Sequence, residues 1–489
     1  MDVLPLDHQS EAPLYRQLYD QIVEQIQSGH LAKGERLPAT RELAGHLGLN
    51  RTTVSAAYEL LEGRGLISSH VGRGTFVTGS PETAGSGLNW SAQLEREGAP
   101  LRNSFPSAGK GLISFAVSRP ADAMFPLDEF RAAGAAVMGR ADLAEILQLG
   151  SPSGYEPLRR RLLEDARRQG LASSGDELIV TNGCQQALDL ISRVLLRAGD
   201  RVVIEDPAYT GLKNLLTGSG AELIGIPAGP EGMDISHLRR VLVRERPRFL
   251  VVTPNFQNPT GTTLPLASRQ ALLECARAVN VPVIENDPYC ELRYHGQALP
   301  ALKQLDQHNG TVLLRSFSKV SFPGLRVGWA LGPKPVMERL RQAKEASDLH
   351  TDQLSQAILL EFAESGRLEA HRARILQAGA ERLAATIAAC RDYLPDGTRW
   401  VEPQGGMNLW VRLPDPFDTV ELLARAQRQG VTFLPGRYFE VARRNPGALR
   451  LSFADLRPDE IRKGLEILGQ VAASESQKAI AGGPVPAMV

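Results

Sequence analysis

From residue 111 onward, apolar runs of strand length alternate with amphipathic stretches of helix length, and this alternation restricts the fold more than any other feature of the chain. The runs are Leu178–Thr181, Arg201–Glu205, Glu222–Pro227, Phe249–Thr253, Val281–Glu285 and Thr311–Arg315, with helical periodicity around 185–197, 267–279 and 336–349. Such a pattern predicts an α/β fold, a mainly parallel sheet covered by helices, with ligands gathering at the carboxyl ends of the strands. At 489 residues the chain exceeds one hydrophobic core, so two or three domains are expected.

The front of the chain follows a different period. Tyr15, Leu18, Tyr19, Ile22, Val23 and Ile26 recur at three- and four-residue steps and predict a helix over Leu14–Gln27. A second helix is expected after Leu37-Pro38, with Thr40 as its N-cap and Leu43, Ala44 and Leu47 facing inward. Gly48 breaks the chain, and Asn50 is placed to cap a third helix through Arg51, Thr52, Thr53, Val54, Tyr58 and Leu61. Two short helices across a tight turn have the form of a helix-turn-helix, and the glycine-pinned alternation from Leu66 to Val77 predicts a hairpin wing.

The ordered series Leu37-Pro38-Ala39-Thr40-Arg41-Glu42-Leu43-Ala44, Arg51-Thr52-Thr53-Val54, Ala57-Tyr58 and Gly72-Arg73-Gly74-Thr75-Phe76-Val77 resembles the GntR-type winged helix, with Ala39 where that family usually has Ser. The resemblance implies a DNA-binding domain over residues 11–78. Arg41, Asn50, Arg51, Thr52 and Ser55 would face the major groove or its phosphates, with Gly72 and Arg73 on the wing. Arginine suits this work because its planar fork matches guanine edges and phosphate oxygens. Residues 1–78 hold seven Lys and Arg against nine Asp and Glu, so affinity must come from a local basic face and from pairing of two chains.

Between the two patterned regions, residues 79–110 carry the Gly, Ser and Pro clusters of a flexible linker. The Ala-, Gly- and Pro-rich tail over 472–489 is expected to be disordered. Cys184, Cys275, Cys290 and Cys390 lie far apart, with neither metal-ligand nor disulfide spacing. The opening Met1-Asp2-Val3-Leu4-Pro5 lacks the basic and apolar blocks of a leader, and no apolar run reaches membrane-spanning length, so a soluble cytoplasmic protein is expected. Lys and Arg (55) balance Asp and Glu (55), so bulk charge selects no partner.

Every chemically suggestive motif of the large region sits at the end of an expected strand. Thr181-Asn182-Gly183-Cys184-Gln185 opens a helix, whose free N–H groups can hold a phosphate. Then follow Asp206-Pro207-Ala208-Tyr209, Asn255-Phe256-Gln257-Asn258-Pro259, Glu285-Asn286-Asp287-Pro288-Tyr289, Ser316-Phe317-Ser318-Lys319 with Gly324-Leu325-Arg326, and Leu449-Arg450-Leu451. In this order they resemble the fold type I pyridoxal phosphate enzymes, of the aminotransferase class that includes 2-aminoadipate aminotransferase. The resemblance implies a cofactor-binding domain over 111–471 with a smaller C-terminal α+β subdomain. It also implies an internal aldimine at Lys319, Tyr209 stacked on the pyridine ring, and Asn258 and Tyr289 on the phenolate oxygen. Gly183, Cys184, Gln185, Ser316 and Arg326 would hold the phosphate, and Arg450 would pair with the carboxylate of an incoming amino acid.

Two positions depart from that family. Its carboxylate for the pyridine nitrogen lies three residues before the tyrosine, where this chain has Asn286; Asp287 is adjacent, but neighbours on a strand face opposite sides. A neutral amide keeps the ring nitrogen protonated much less well, which weakens the electron sink needed for proton abstraction and leaves aldehyde capture intact. The family's Tyr-x-x-Pro-x-Gly tyrosine, which often reaches the partner subunit's phosphate, is Leu149 here.

Together the two resemblances cover nearly the whole chain and match the MocR-type regulators, a winged helix fused to an aminotransferase-like domain. What this implies is a pyridoxal phosphate-dependent regulator, a homodimer on double-stranded DNA, that senses an amine or amino acid at Lys319 and turns over slowly or not at all. Two other readings remain open: a working aminotransferase carrying a winged helix, and a DNA-binding protein whose large domain only dimerises.

Overall fold

The computed structural model describes residues 6, 13–70, 74–78, 111–442 and 444–481. The chain divides into two compact units, one ending at Gly98 and the other beginning at Ala99.

In the first unit, α1 (Leu14–Gln27), α2 (Thr40–Leu47) and α3 (Arg51–Gly63) enclose one apolar core. Leu18, Ile22, Val54, Ala57 and Leu61 are fully buried in it, which is what the three- and four-residue spacing dictates. β1 (Arg36–Leu37), β2 (Ile67–His70) and β3 (Gly74–Val77) form an antiparallel sheet in the order β1-β3-β2. The Tyr58 hydroxyl donates to the Pro38 carbonyl at 2.9 Å and ties α3 to the turn before α2. Asn50 caps α3, its Oδ1 accepting from Thr52 N at 3.1 Å. Thr40 does not cap α2. It is the first helical residue, and Ala39 holds the cap position without a side-chain bond, so no side-chain oxygen closes the amino end of α2.

The second unit opens with β4 (Ile113–Ser114). Its main sheet contains β5 (Asp176–Thr181), β6 (Arg201–Asp206), β7 (Glu222–Gly229), β8 (Gly232–Met233), β9 (Phe249–Val252), β10 (Val283–Asn286), β11 (Thr311–Ser316) and β12 (Gly328–Pro333). The order is β5-β12-β11-β10-β9-β6-β7-β8, and the central pairs β11-β10-β9-β6-β7 are parallel. β12 runs antiparallel between β11 and β5. Apolar cores lie on both faces of this sheet, which explains why its strands read as continuous hydrophobic runs.

A smaller sheet contains β13 (Arg399–Trp400), β14 (Asn408–Arg412), β16 (Leu434–Pro435) and β17 (Ala448–Ser452), while β15 (Val431–Thr432) pairs with β4. The helices Arg367–Tyr393 and Pro458–Ala481 pack with it. The second of these corrects the disordered tail, because the helix continues through Ala481. Ile461, Leu465, Leu468 and Val471 bury one stripe, and the following Ala472-Ala473-Ser474-Glu475 and Gln477-Lys478-Ala479 are mostly strong helix formers that extend it. The linker 79–110 and the last eight residues, 482–489, lie outside the described residues.

Candidate functional site

The carboxyl ends of β5, β6, β9, β10 and β11 converge on a cavity of about 390 Å³. Lys319, Gly183, Cys184, Gln185, Tyr209, Asn258, Asn286, Tyr289, Ser316, Arg326 and Arg450 all line it, although they come from segments spread over some 270 positions.

Lys319 ends a short 3₁₀ turn after β11. Its Nζ donates to the Ser118 carbonyl at 3.0 Å and lies 5.6 Å from the Tyr289 ring centre. Enclosure away from water, reinforced by the charges of Arg450 and Arg326, pulls its pKa from 10.5 down to about 8. The neutral, nucleophilic form of the amine is then far more populated near physiological pH than in an ordinary lysine, although the protonated form still predominates below about pH 8.

Around it the polar groups interlock. Asn258 Nδ2 donates to the Tyr289 hydroxyl at 3.4 Å, and Asn258 Oδ1 accepts from Arg450 Nη1 at 3.1 Å. Arg450 also donates to the Ala116 carbonyl, while its buried Nε finds no acceptor. That leftover donor suits a carboxylate, which a guanidinium binds with two parallel bonds.

On the opposite side, Gly183 opens the helix Gly183–Leu195 in the left-handed region, φ +76°. A Cβ there would lie 2.6 Å from Arg326 Nη2, so a side chain would push away the guanidinium that bonds the Asn182 carbonyl at 3.0 Å. Arg326 also reaches Ser318 Oγ at 3.3 Å. The Ser316 hydroxyl accepts from Ser318 N and closes the turn, and both serines line the cavity. Tyr209 stands 38% exposed at the mouth, its ring lying against Gly211, where a Cβ would come within 2.5 Å of it.

The two residues at the end of β10 diverge as strand geometry requires. Asn286 faces the cavity, and its buried Oδ1 has no hydrogen-bond partner. Asp287 is fully buried on the other side, accepting from Asn255 Nδ2 at 2.9 Å and lying 3.7 Å from Arg315. Burial raises the Asp287 pKa, with Arg315 opposing. Its carboxylate is thus committed to a network away from the cavity. Leu149 is 71% exposed and carries no polar atom to offer.

Several residues of this site gave no sequence signal. Ala116 and Ser118 enter through carbonyls on the extension of β4, and backbone groups leave no mark in residue identity. Phe439, from the turn after β16, sits 5.1 Å beneath the Arg450 guanidinium. Behind the Asn182–Gln186 turn, Asp348 accepts from Asn182 Nδ2 at 3.2 Å and from Gln186 Nε2 at 2.5 Å, and is itself held by the buried Lys344 at 2.7 Å.

In the first unit, Arg41, Arg51 and Thr52 are exposed along α2 and α3, and Ser55 is half-buried beside them. Neither arginine makes an ion pair among the described residues. The exposed Asn50 spends its side-chain oxygen on the α3 cap. Gly72 and Arg73 lie outside the described residues.

Comparison with known proteins resolves both halves. Residues 14–77 match the family of bacterial regulatory proteins, gntR family, and residues 110–468 match aminotransferase class I and II. The probable rhizopine catabolism regulatory protein MocR of Rhizobium meliloti is 30% identical over 480 residues, covering 95% of each chain. The chain belongs to the MocR-type branch of the GntR family. A second relative of this MocR-type chain, the HTH-type transcriptional regulator TauR of Rhodobacter capsulatus, is 29% identical over 93% of this chain and 96% of its own. The large unit is similar to LysN, an α-aminoadipate aminotransferase of Thermus thermophilus solved with N-(5′-phosphopyridoxyl)-L-leucine. Identity there is 35% and the TM-score 0.72, over 80% of this chain and 100% of that one.

Pyridoxal phosphate is the cofactor of this family, and the residues present fit it. The Gly183 helix terminus and Arg326 make an anion cradle, the depressed Lys319 amine suits the aldehyde, and Tyr289 with Asn258 offers donors between them. Within the cavity the fit departs at the neutral Asn286, and outside it at Leu149.

Proposed function

We propose that this MocR-type regulator binds double-stranded DNA as a homodimer and uses its cofactor cavity to sense an amino acid or related amine in the cytoplasm, with little or no catalytic turnover. When bound, pyridoxal phosphate supplies an electrophilic aldehyde that amines compete to capture. The chain's own residues do the rest. Lys319 offers a neutral amine, and Arg450, steadied by Asn258 and Ala116, would orient a ligand carboxylate. Gly183, Cys184, Gln185, Ser316 and Arg326 would fix the phosphate, and Tyr209 would cover the ring.

One observation carries the choice of sensor over enzyme: Asn286, not a carboxylate, faces the cavity, while Asp287 is held on the opposite face by Asn255. Capture of an amine does not require a protonated ring nitrogen, whereas removal of the substrate α-proton does. An exposed Leu149 in place of the tyrosine supports the same reading, since it offers a partner subunit no hydrogen bond. In the first unit, Arg41, Asn50, Arg51, Thr52 and Ser55 would meet the major groove and its phosphates, with Gly72 and Arg73 at the wing. Effector occupancy would act by favouring one of two dimer arrangements with different spacing of the two DNA-reading units.

A working aminotransferase is the competing reading, favoured by 37% identity over 366 residues to the 2-aminoadipate transaminase of Thermus thermophilus. Incubation with amino acids and a keto-acid acceptor, alongside operator-binding titrations with and without the amine, separates the two. Changed DNA affinity without sustained keto-acid release supports the sensor. Steady multiple turnover with unchanged DNA affinity would overturn it.

A further inference from the structure

A second cavity, of about 450 Å³, lies beside the cofactor cavity and shares none of its lining residues. β13 and β14 form one of its walls. Arg399 and Arg412 are directly opposed in the antiparallel register, so their side chains leave the same face of the sheet with Cβ atoms about 5 Å apart. Both are exposed, and neither forms an ion pair or hydrogen bond among the described residues. Two guanidinium groups carried side by side on one face present paired positive charge that an anion can bridge. Glu440, which also lines the cavity, accepts from the Asn445 amide at 2.5 Å and pairs with neither arginine. The half-buried Trp410, two residues before Arg412 on the same face of β14, adds indole surface, whereas Trp400 is opposite Val411 and packs on the core behind the sheet. A half-buried indole next to two uncommitted guanidinium groups is the composition expected where a flat anionic ligand is bound.

The two cavities are separated by very little. Trp410 is opposite Arg450 in the β14–β17 register and meets the Phe439 ring edge to face, centres 5.8 Å apart. Phe439 lines the cofactor cavity and lies under Arg450. Asp206, which lines the second cavity, accepts from Val441 N at 2.9 Å and Ala442 N at 3.0 Å, pinning the Phe439 segment to the strand end that leads to Tyr209.

We propose that this cavity is a second small-molecule site, for a planar aromatic carboxylate, with Arg399 and Arg412 binding the carboxylate and Trp410 the ring, and that the Trp410–Phe439 wall couples it to the cofactor cavity. The claim goes beyond amine sensing at Lys319 and survives if that reading fails, because its first readout needs no cofactor.

Calorimetric titration of the full chain with 2-naphthoate tests it. The expected result is one saturable site, about tenfold or more tighter than for the neutral 2-naphthamide, weakened about tenfold or more in the R399A/R412A double variant and retained in R450A. The singles R399A and R412A give intermediate losses, and unchanged thermal melts show that the fold is intact. Absence of binding, equal affinity for the amide, equal affinity in the double variant, or loss in R450A would each overturn the site. Saturating 2-naphthoate should also shift the pyridoxal phosphate titration by about threefold or more in the wild-type chain only. An unshifted curve would overturn the coupling.

Discussion

The DNA-reading unit and the cofactor cavity place their functional residues under opposite constraints. Arg41 and Arg51 stand exposed on α2 and α3 without an ion pair among the described residues, so changing them touches little of the fold. In the cavity the reverse holds: Arg450 leans on Asn258, Asn258 on Tyr289, and Asp287 on Asn255, which in turn accepts from the buried Arg269 at 2.8 Å. A reader can be altered one side chain at a time. A buried network fails as a unit, because removing one member leaves another polar group without a partner.

The largest separation of the two regions is expected from Arg51→Ala. Loss of the guanidinium proposed to meet a base or phosphate should weaken operator binding by about 1–3 kcal/mol in a gel-shift titration, with cofactor absorbance and thermal melting unchanged. Loss of both functions together would break the contrast. Next, Asn286→Asp should raise residual transamination by about tenfold, the effect of roughly one pKa unit at the ring nitrogen, as measured by keto-acid release. An unchanged rate would remove Asn286 as the reason proposed for low turnover.

Acidity gives a finer test. Only the neutral amine attacks an aldehyde, so a Lys319 pKa held at about 8 predicts that the rate of cofactor capture climbs with pH and levels off above about 8. A rate still climbing toward 10.5, the value for an ordinary lysine, would mean that the cavity does not tune it. The smallest effect belongs to Tyr58→Phe, which deletes the bond to the Pro38 carbonyl and should cost the reading unit about 1 kcal/mol in denaturant unfolding while leaving the large unit unchanged.

Much of this was legible before any coordinates. Burial spacing placed α1 at Leu14–Gln27, and strand alternation foretold that Asn286 and Asp287 would face opposite ways. Residues expected around Lys319 from five strand ends do meet in one cavity. What escaped reading was non-local or carried by the backbone. Ser118 and Ala116 contribute carbonyls, and β12, with its sequence Gly-Trp-Ala-Leu-Gly-Pro, inserts antiparallel without the β-branched signature of its neighbours. The closing helix escaped because alanine counts equally toward a tail composition and toward helix formation. The pair Arg399 and Arg412 became visible only through register, since residues thirteen apart meet across β13 and β14.

The central claim is that one lysine carries the cofactor in a chain whose other unit reads DNA. Borohydride reduction of the cofactor-loaded protein followed by peptide mass mapping tests it most directly. The account predicts a pyridoxyl adduct on Lys319, absent in Lys319→Ala, with the variant still binding DNA through its first unit; an unmodified Lys319, or an adduct on another lysine, would contradict it.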